Sequence, residues 1–223
     1  MSLENLMYEA GVWRANQWEH YQQATVSSGF KALDQVLPGG GFPQGALTEL
    51  LTNADGNSSL QLMIPALAQL SHQGRWIAMV APPHIPYAPT LSRYGIDISK
   101  VLLVHPDKDD TLWAMEQALR AGTCGAVLCW PGSINERQLR RLQLATEEGN
   151  CIGVLFYKQA PQVQSSPAAL RMEVSTNEWG MEVNIHKRRG AWPTGPIHLD
   201  WDHEGYVAMP LPATATAQRL YAN

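Results

Sequence analysis

Residues 46–62, ALTELLTNADGNSSLQL, are where phosphate chemistry would be sought, because an apolar strand there runs into a polar turn and then a helical pattern. A loop that grips nucleotide phosphates in that setting follows GxxxxGK[ST]. Its glycines let backbone amides wrap the phosphates, and its lysine supplies a compact positive charge. On that frame the first glycine falls at Thr52, the second at Asn57 and the lysine at Ser58, so that Ser59 alone matches. Asp55 adds a carboxylate that would repel a triphosphate. The acid that helps hold magnesium at the end of a later strand is also missing, since GAVLCWPGS closes on Cys129 and Trp130. A helix start of this kind still suits a weakly held anion. The set Thr52, Asn57, Ser58 and Ser59 is therefore read as a degenerate nucleotide loop without a cofactor, and the chain as no enzyme. Hydrolysis of ATP through a divergent loop stays as an alternative.

Three other constellations carry charge. Arg137, Arg140 and Arg141 lie on one helical segment, with Arg137 and Arg141 a turn apart, and read either as a solvated face or as a partner contact. Lys187, Arg188 and Arg189 leave a strand together, which suits an acidic protein surface or nucleic-acid phosphates as well as a plain polar turn. His198, Asp200 and Asp202, with His203 beside them, alternate along an extended segment. A metal is not expected there, because no supporting partner for such ligands is identifiable. Cys124, Cys129 and Cys151 sit in apolar runs without CxxC spacing and read as reduced, buried small hydrophobes.

The elements that must position these residues alternate. Apolar runs of strand length at 46–51, 76–80, 101–104, 125–130 and 151–157 are separated by segments of helical period, the pattern of a largely parallel sheet flanked by helices. Leu60, Met63, Ile64, Leu67 and Leu70 have helical spacing, and Pro65 inside that run is expected to kink the helix or delay its start. A second helix is expected over 111–121, ended by Gly122, and a third opened by a capping box at Ser133–Glu136 and running to Gly149. After a polar, proline-bearing loop that follows residue 157, LRMEVS, MEVNIHK and PIHLDW alternate like strands, a β extension of the same sheet. The expected units are an N-terminal amphipathic helix and linker over 1–25, a core over 26–205 and a frayed tail over 206–223. The N-terminal segment, with Leu3, Leu6, Met7, Ala10 and Trp13 near helical spacing, reads equally as a helix folded back on the core or as a docking arm.

Composition bounds the function. The 223 residues carry a net charge of −4, with 45% apolar and only 16% charged residues, which excludes disorder for most of the chain and argues against a protein that blankets phosphate backbones. Eight Trp in so lightly charged a chain point to a protein partner. With no apolar run long enough to span a membrane and no basic-then-apolar start in MSLENLMYEAGVW, the expected location is the cytoplasm.

The run SSGFKALDQVLPGGGFPQGALTEL resembles the segment leading into RecA's nucleotide loop, and YGIDISKVLLVHPDKDDTLWAMEQALRAGTCGAVLCW resembles the core that follows. SSPAALRMEVS and MEVNIHKRRG resemble RecA's later strands, so the similarity spans about residues 26–190. It implies a RecA-like three-layer core with a degenerate P-loop, and Pro83 stands where RecA places its water-activating glutamate. Within that superfamily LPGGGFPQGALTELL, VAPPHIPYAPTLSRYGI, WAMEQALRAGTCGAVL and LRRLQLATEEGN resemble the ImuA group, which merges with the SulA group of cell-division inhibitors. An ImuA-type protein implies an SOS-response accessory factor in error-prone translesion synthesis, working with an ImuB-type polymerase homologue and RecA. A SulA-type protein implies binding to FtsZ. The intact GGGFPQG entry favours the ImuA type. QGRWIAMVAPP and DISKV are shared with both groups, which leaves Arg75 and Lys100 as the polar residues for FtsZ. Trp13 and Trp18 are the aromatic residues expected against RecA or ImuB. Lys158 is the only cation of the 158–167 loop, so direct DNA binding is expected to be weak or absent, and self-association stays open.

Overall fold

The protein is seen in a computed structural model that describes residues 24–52, 57–157, 166–190 and 192–200. Nearly all of the N-terminal unit, with Trp13 and Trp18, lies outside the described residues, as do Asp55, Asp202, His203, the segment 158–165 and the expected tail.

A short ribbon of β1 (Thr25–Val26) and β2 (Phe42–Pro43) is joined through the single-turn helix α1 (Lys31–Asp34). Its residues Phe30, Leu33, Leu37 and Phe42 are buried in the main core. The chain then alternates: β3 (Ala46–Thr52), α2 (Asn57–His72), β4 (Trp76–Val80), α3 (Ala88–Arg93), β5 (Val101–Val104), α4 (Thr111–Arg120), β6 (Cys124–Cys129), α5 (Glu136–Gly149) and β7 (Ile152–Tyr157). Three strands close it: β8 (Leu170–Thr176), β9 (Gly180–Arg188) and β10 (Thr194–Asp200).

These strands form one eight-stranded sheet in the order β10-β9-β8-β3-β7-β6-β4-β5. It is parallel from β8 to β5, while β8, β9 and β10 pair antiparallel. This is the mixed α/β architecture that the alternation predicts, including the β extension. Side-chain alternation sorts β3 cleanly. Leu50 joins the core under α1, α2 and α3, and Leu47 and Leu51 join the core under α4 and α5. Burial of both faces is what makes β3 read as a nearly continuous apolar run.

Two local expectations are corrected. Of the two outcomes expected of Pro65, the delayed start is the one overturned, since α2 already runs from Asn57 to His72 with the proline inside it. The ring of Pro65 instead faces the entry segment. A Cβ on Gly29 would come within 2.3 Å of the Pro65 Cβ, and Gly29 has a φ of +83°, so only glycine fits there. The capping box is not Ser133–Glu136. Asn135 is the extended N-cap of α5, its side chain accepts from the Gln138 N–H, and the Gln138 side chain accepts from the Asn135 N–H, each at 2.9 Å.

Among the described residues no helix is long and apolar enough to cross a membrane.

Candidate functional site

The carboxyl ends of β3, β4, β6 and β7 lie together, and α2 leaves the end of β3 toward one face while α5 leaves β6 toward the other. Ligands of open α/β sheets bind at such a switch point. The described groups here offer little to a phosphate. Thr52 is buried at the end of β3, and Asn57 and Ser58 open α2. Ser59 is fully buried, and its hydroxyl has no hydrogen-bond partner among the described residues. Strand β4 runs into Ala81, Pro82 and Pro83, with Ala81 at a φ of +50°, a strained value for a residue with a Cβ. Strand β6 ends on buried Cys129, and Trp130 stacks on Phe156 with ring centroids 4.5 Å apart. No acidic or basic side chain stands at these described strand ends before His84.

A polar ladder that sequence reading missed crosses the sheet nearby. Leu155, Glu49, Arg171 and Lys187 are in register on β7, β3, β8 and β9. Glu49 is fully buried and accepts from Arg171 Nε at 2.9 Å and from the Ser166 hydroxyl at 2.7 Å. Lys187 Nζ donates to the Ser166 carbonyl at 2.5 Å, and burial lowers its pKa. Tyr157 shares the cluster, and its phenol is pushed well above its ordinary pKa by burial and then by the Glu49 charge. Glu49 Oε1, Arg171 Nη2 and Tyr157 Oη are buried without partners among the described residues. The only local sign was one acid inside an otherwise uncharged buried strand.

The other basic candidates divide. Arg188 Nε donates to the Trp192 carbonyl at 2.7 Å and its Nη1 to the Val36 carbonyl, which fastens the β9–β10 turn to the end of the entry ribbon. The Arg189 N–H donates to the Ala169 carbonyl. Of the run Lys187–Arg189, two side chains therefore brace the fold. On α5, Arg140 pairs with Glu136 and Arg141 reaches Glu116 on α4, each at 2.5 Å, while Arg137 is exposed. His198 lies 3.7 Å from Glu182, and His186 lies 3.0 Å from Glu173. Among the described residues no group of three metal-ligating side chains comes together.

Arg75 and Lys100 are not brought together: the Arg75 side chain turns inward to β6, whereas Lys100 stands at the outer edge of the sheet beside β5. Among the described residues strand β5 is the edge strand, paired only with β4 from Ile77–Val101 to Val80–Val104. Arg75 immediately precedes β4, and its Nη2 donates to the Cys124 carbonyl at 2.6 Å. The Lys100 ammonium stands over the Trp76 ring, 5.2 Å from its centroid, a cation–π contact. Asp97 accepts from the N–H and hydroxyl of Ser99, which lower its pKa and shape the 3-10 turn Ile98–Lys100 that presents Lys100. Near Lys100, Trp76, Ile98, Leu102 and Leu103 are exposed, with Leu102 and Leu103 on opposite faces of β5. Clustered apolar exposure rimmed by charge is the signature of an interaction surface.

Comparison with known proteins points to one family. Residues 45–153 match the family model described as cell division inhibitor SulA. The cell division inhibitor SulA of Pectobacterium carotovorum is 32% identical over 137 residues, which is 60% of this chain and 79% of that protein. The protein of the same name from Edwardsiella piscicida is 35% identical over 99 residues, 44% of this chain and 59% of its own. The crystal structure of SulA from Pseudomonas aeruginosa aligns with a TM-score of 0.43 at 26% identity, covering 49% of this chain and 95% of that one.

Proposed function

Since the chain belongs to the SulA family of cell division inhibitors, we propose that it acts without catalysis, by holding FtsZ in the cytoplasm and preventing its assembly. The observation that carries this reading is the Trp76–Lys100 edge, where a fixed ammonium sits beside exposed apolar side chains inside the matched span. Trp is among the residue types that dominate protein interfaces. The order of the strands and the position of α2 after the central strand support a RecA-like core, and the residue types Thr52, Asn57, Ser58 and Ser59 support reading its nucleotide loop as degenerate.

Expression without DNA damage should make cells filament, and purified protein should capture FtsZ. Lys100→Glu, which removes the cation over Trp76 and opposes an acidic partner, should weaken capture by about tenfold or more, as truncation at interface hot spots does. Normal division together with no capture would defeat the reading.

A second reading, an ImuA-type accessory of error-prone translesion synthesis bound to an ImuB-type polymerase homologue or to RecA, is favoured by the entry ribbon. Residues 24–43 precede the matched span, yet they complete the core through Phe30, Leu33, Leu37 and Phe42. Capture of ImuB or RecA in place of FtsZ would establish it.

A further inference from the structure

The two edges of the sheet are unlike. Strand β10 carries Pro196 and a register irregularity between Thr194 and Ile197, with His198 and Asp200 farther along, all devices that discourage strand pairing. Strand β5, with the sequence VLLV, has none of these. Its backbone polarity can be assigned. The Val104 carbonyl accepts from the Ala81 N–H at 2.9 Å and so faces β4. In a parallel ladder successive residues present their N–H and C=O to opposite sides, which leaves those groups of Val101 and Leu103 on the open side. The edge is also electrically polar. Lys100 lies at its start, and Asp107, Asp109 and Asp110 follow its end with Lys108 as the one cation among them.

We propose that the open edge of β5 takes up an extended apolar segment of the division-protein partner as an added strand. That segment would carry an acidic residue toward Lys100 and a basic residue toward Asp107–Asp110. The inference deepens the FtsZ reading and rests on it. Added strands gain affinity from main-chain hydrogen bonds and specificity from alternate side chains. Here the main-chain share falls on Val101 and Leu103, and the side-chain share on the surface around Trp76.

Leu103→Pro tests it, because the substitution removes an outward N–H while leaving the β4–β5 ladder whole. Leu103→Val keeps that N–H and an apolar side chain. With purified FtsZ as the probe, Leu103→Pro should lower affinity about tenfold, the order expected for lost main-chain hydrogen bonds, and Leu103→Val should stay within about twofold. Amide exchange at Val101 and Leu103 should slow when FtsZ is added to the unmutated chain, a readout that survives if the proline variant fails to fold. Unchanged exchange, or unchanged affinity in a folded Leu103→Pro protein whose Lys100→Glu counterpart is weakened, would overturn strand addition and leave the FtsZ reading standing. A proline variant that lowers only the protein's own oligomeric mass would assign the edge to a second copy and also overturn it. An unmutated chain that never binds FtsZ would remove the underlying reading and this inference together.

Discussion

Glu49 shows how much one buried side chain can depend on distant sequence. Its carboxylate is held by Arg171, 122 residues away, and by Ser166. Removing one member of a buried pair strands the other charge, which typically costs 3–5 kcal/mol, and Arg171 is partly exposed, so the lower end applies. Glu49→Ala should therefore lose about 3 kcal/mol in urea unfolding, and Glu49→Leu combined with Arg171→Leu should recover much of it. A double variant no better than Glu49→Ala would mean that the ladder is not acting as a pair. The strand around Glu49 was legible from its apolar run. The ladder was not, because nothing local in ALTELLT or LRMEVS states that their registers place Glu49 opposite Arg171. Arg75 and Lys100 were legible as matching residues, but that Lys100 stands over Trp76 while Arg75 turns to β6 required the pairing of β4 with β5 on one side and β6 on the other.

At the scale of elements, strand positions were readable because both faces of a covered parallel sheet demand unbroken apolar runs. Helix starts were less so. Two overlapping patterns, Ser133–Glu136 and Asn135–Gln138, each have capping-box spacing, and only extended backbone at Asn135 decides between them. Asn135→Ala should cost about 1 kcal/mol, whereas Ser133→Ala should cost a few tenths at most, measured as shifts of the urea midpoint at constant slope. Equal costs would return the cap to Ser133. Pro65 illustrates the same limit. Its penalty inside α2 is visible locally, but the glycine it meets on the entry ribbon belongs to another element.

For the whole molecule, the three cysteines tie stability to alkaline pH. All are free and buried, and burial pushes the Cys129 and Cys151 thiols up to about 12. The unfolded chain releases these protons near the ordinary thiol value of about 8.5 while the folded chain retains them. The unfolded state then binds fewer protons, so stability falls as pH rises from about 9 toward 12 and is insensitive to these groups below that window. A thiol reagent at neutral pH should find none of the three in the native protein and all three after denaturation. Replacing Cys129 and Cys151 by alanine should flatten the alkaline decline. An unchanged decline would place its source elsewhere.

The strand at the middle of the sheet, β3, is translated long before the strands on both its sides, β7 and β8. Until they arrive, Leu47, Leu50 and Leu51 have neither neighbour to shelter against. A nascent chain halted before β7 is consequently a client for chaperones rather than a domain, and large sequence separation between partners makes for slow folding once release permits it. If the protein is made only when cells need it quickly, the interval between synthesis and action is set by when its last strands arrive.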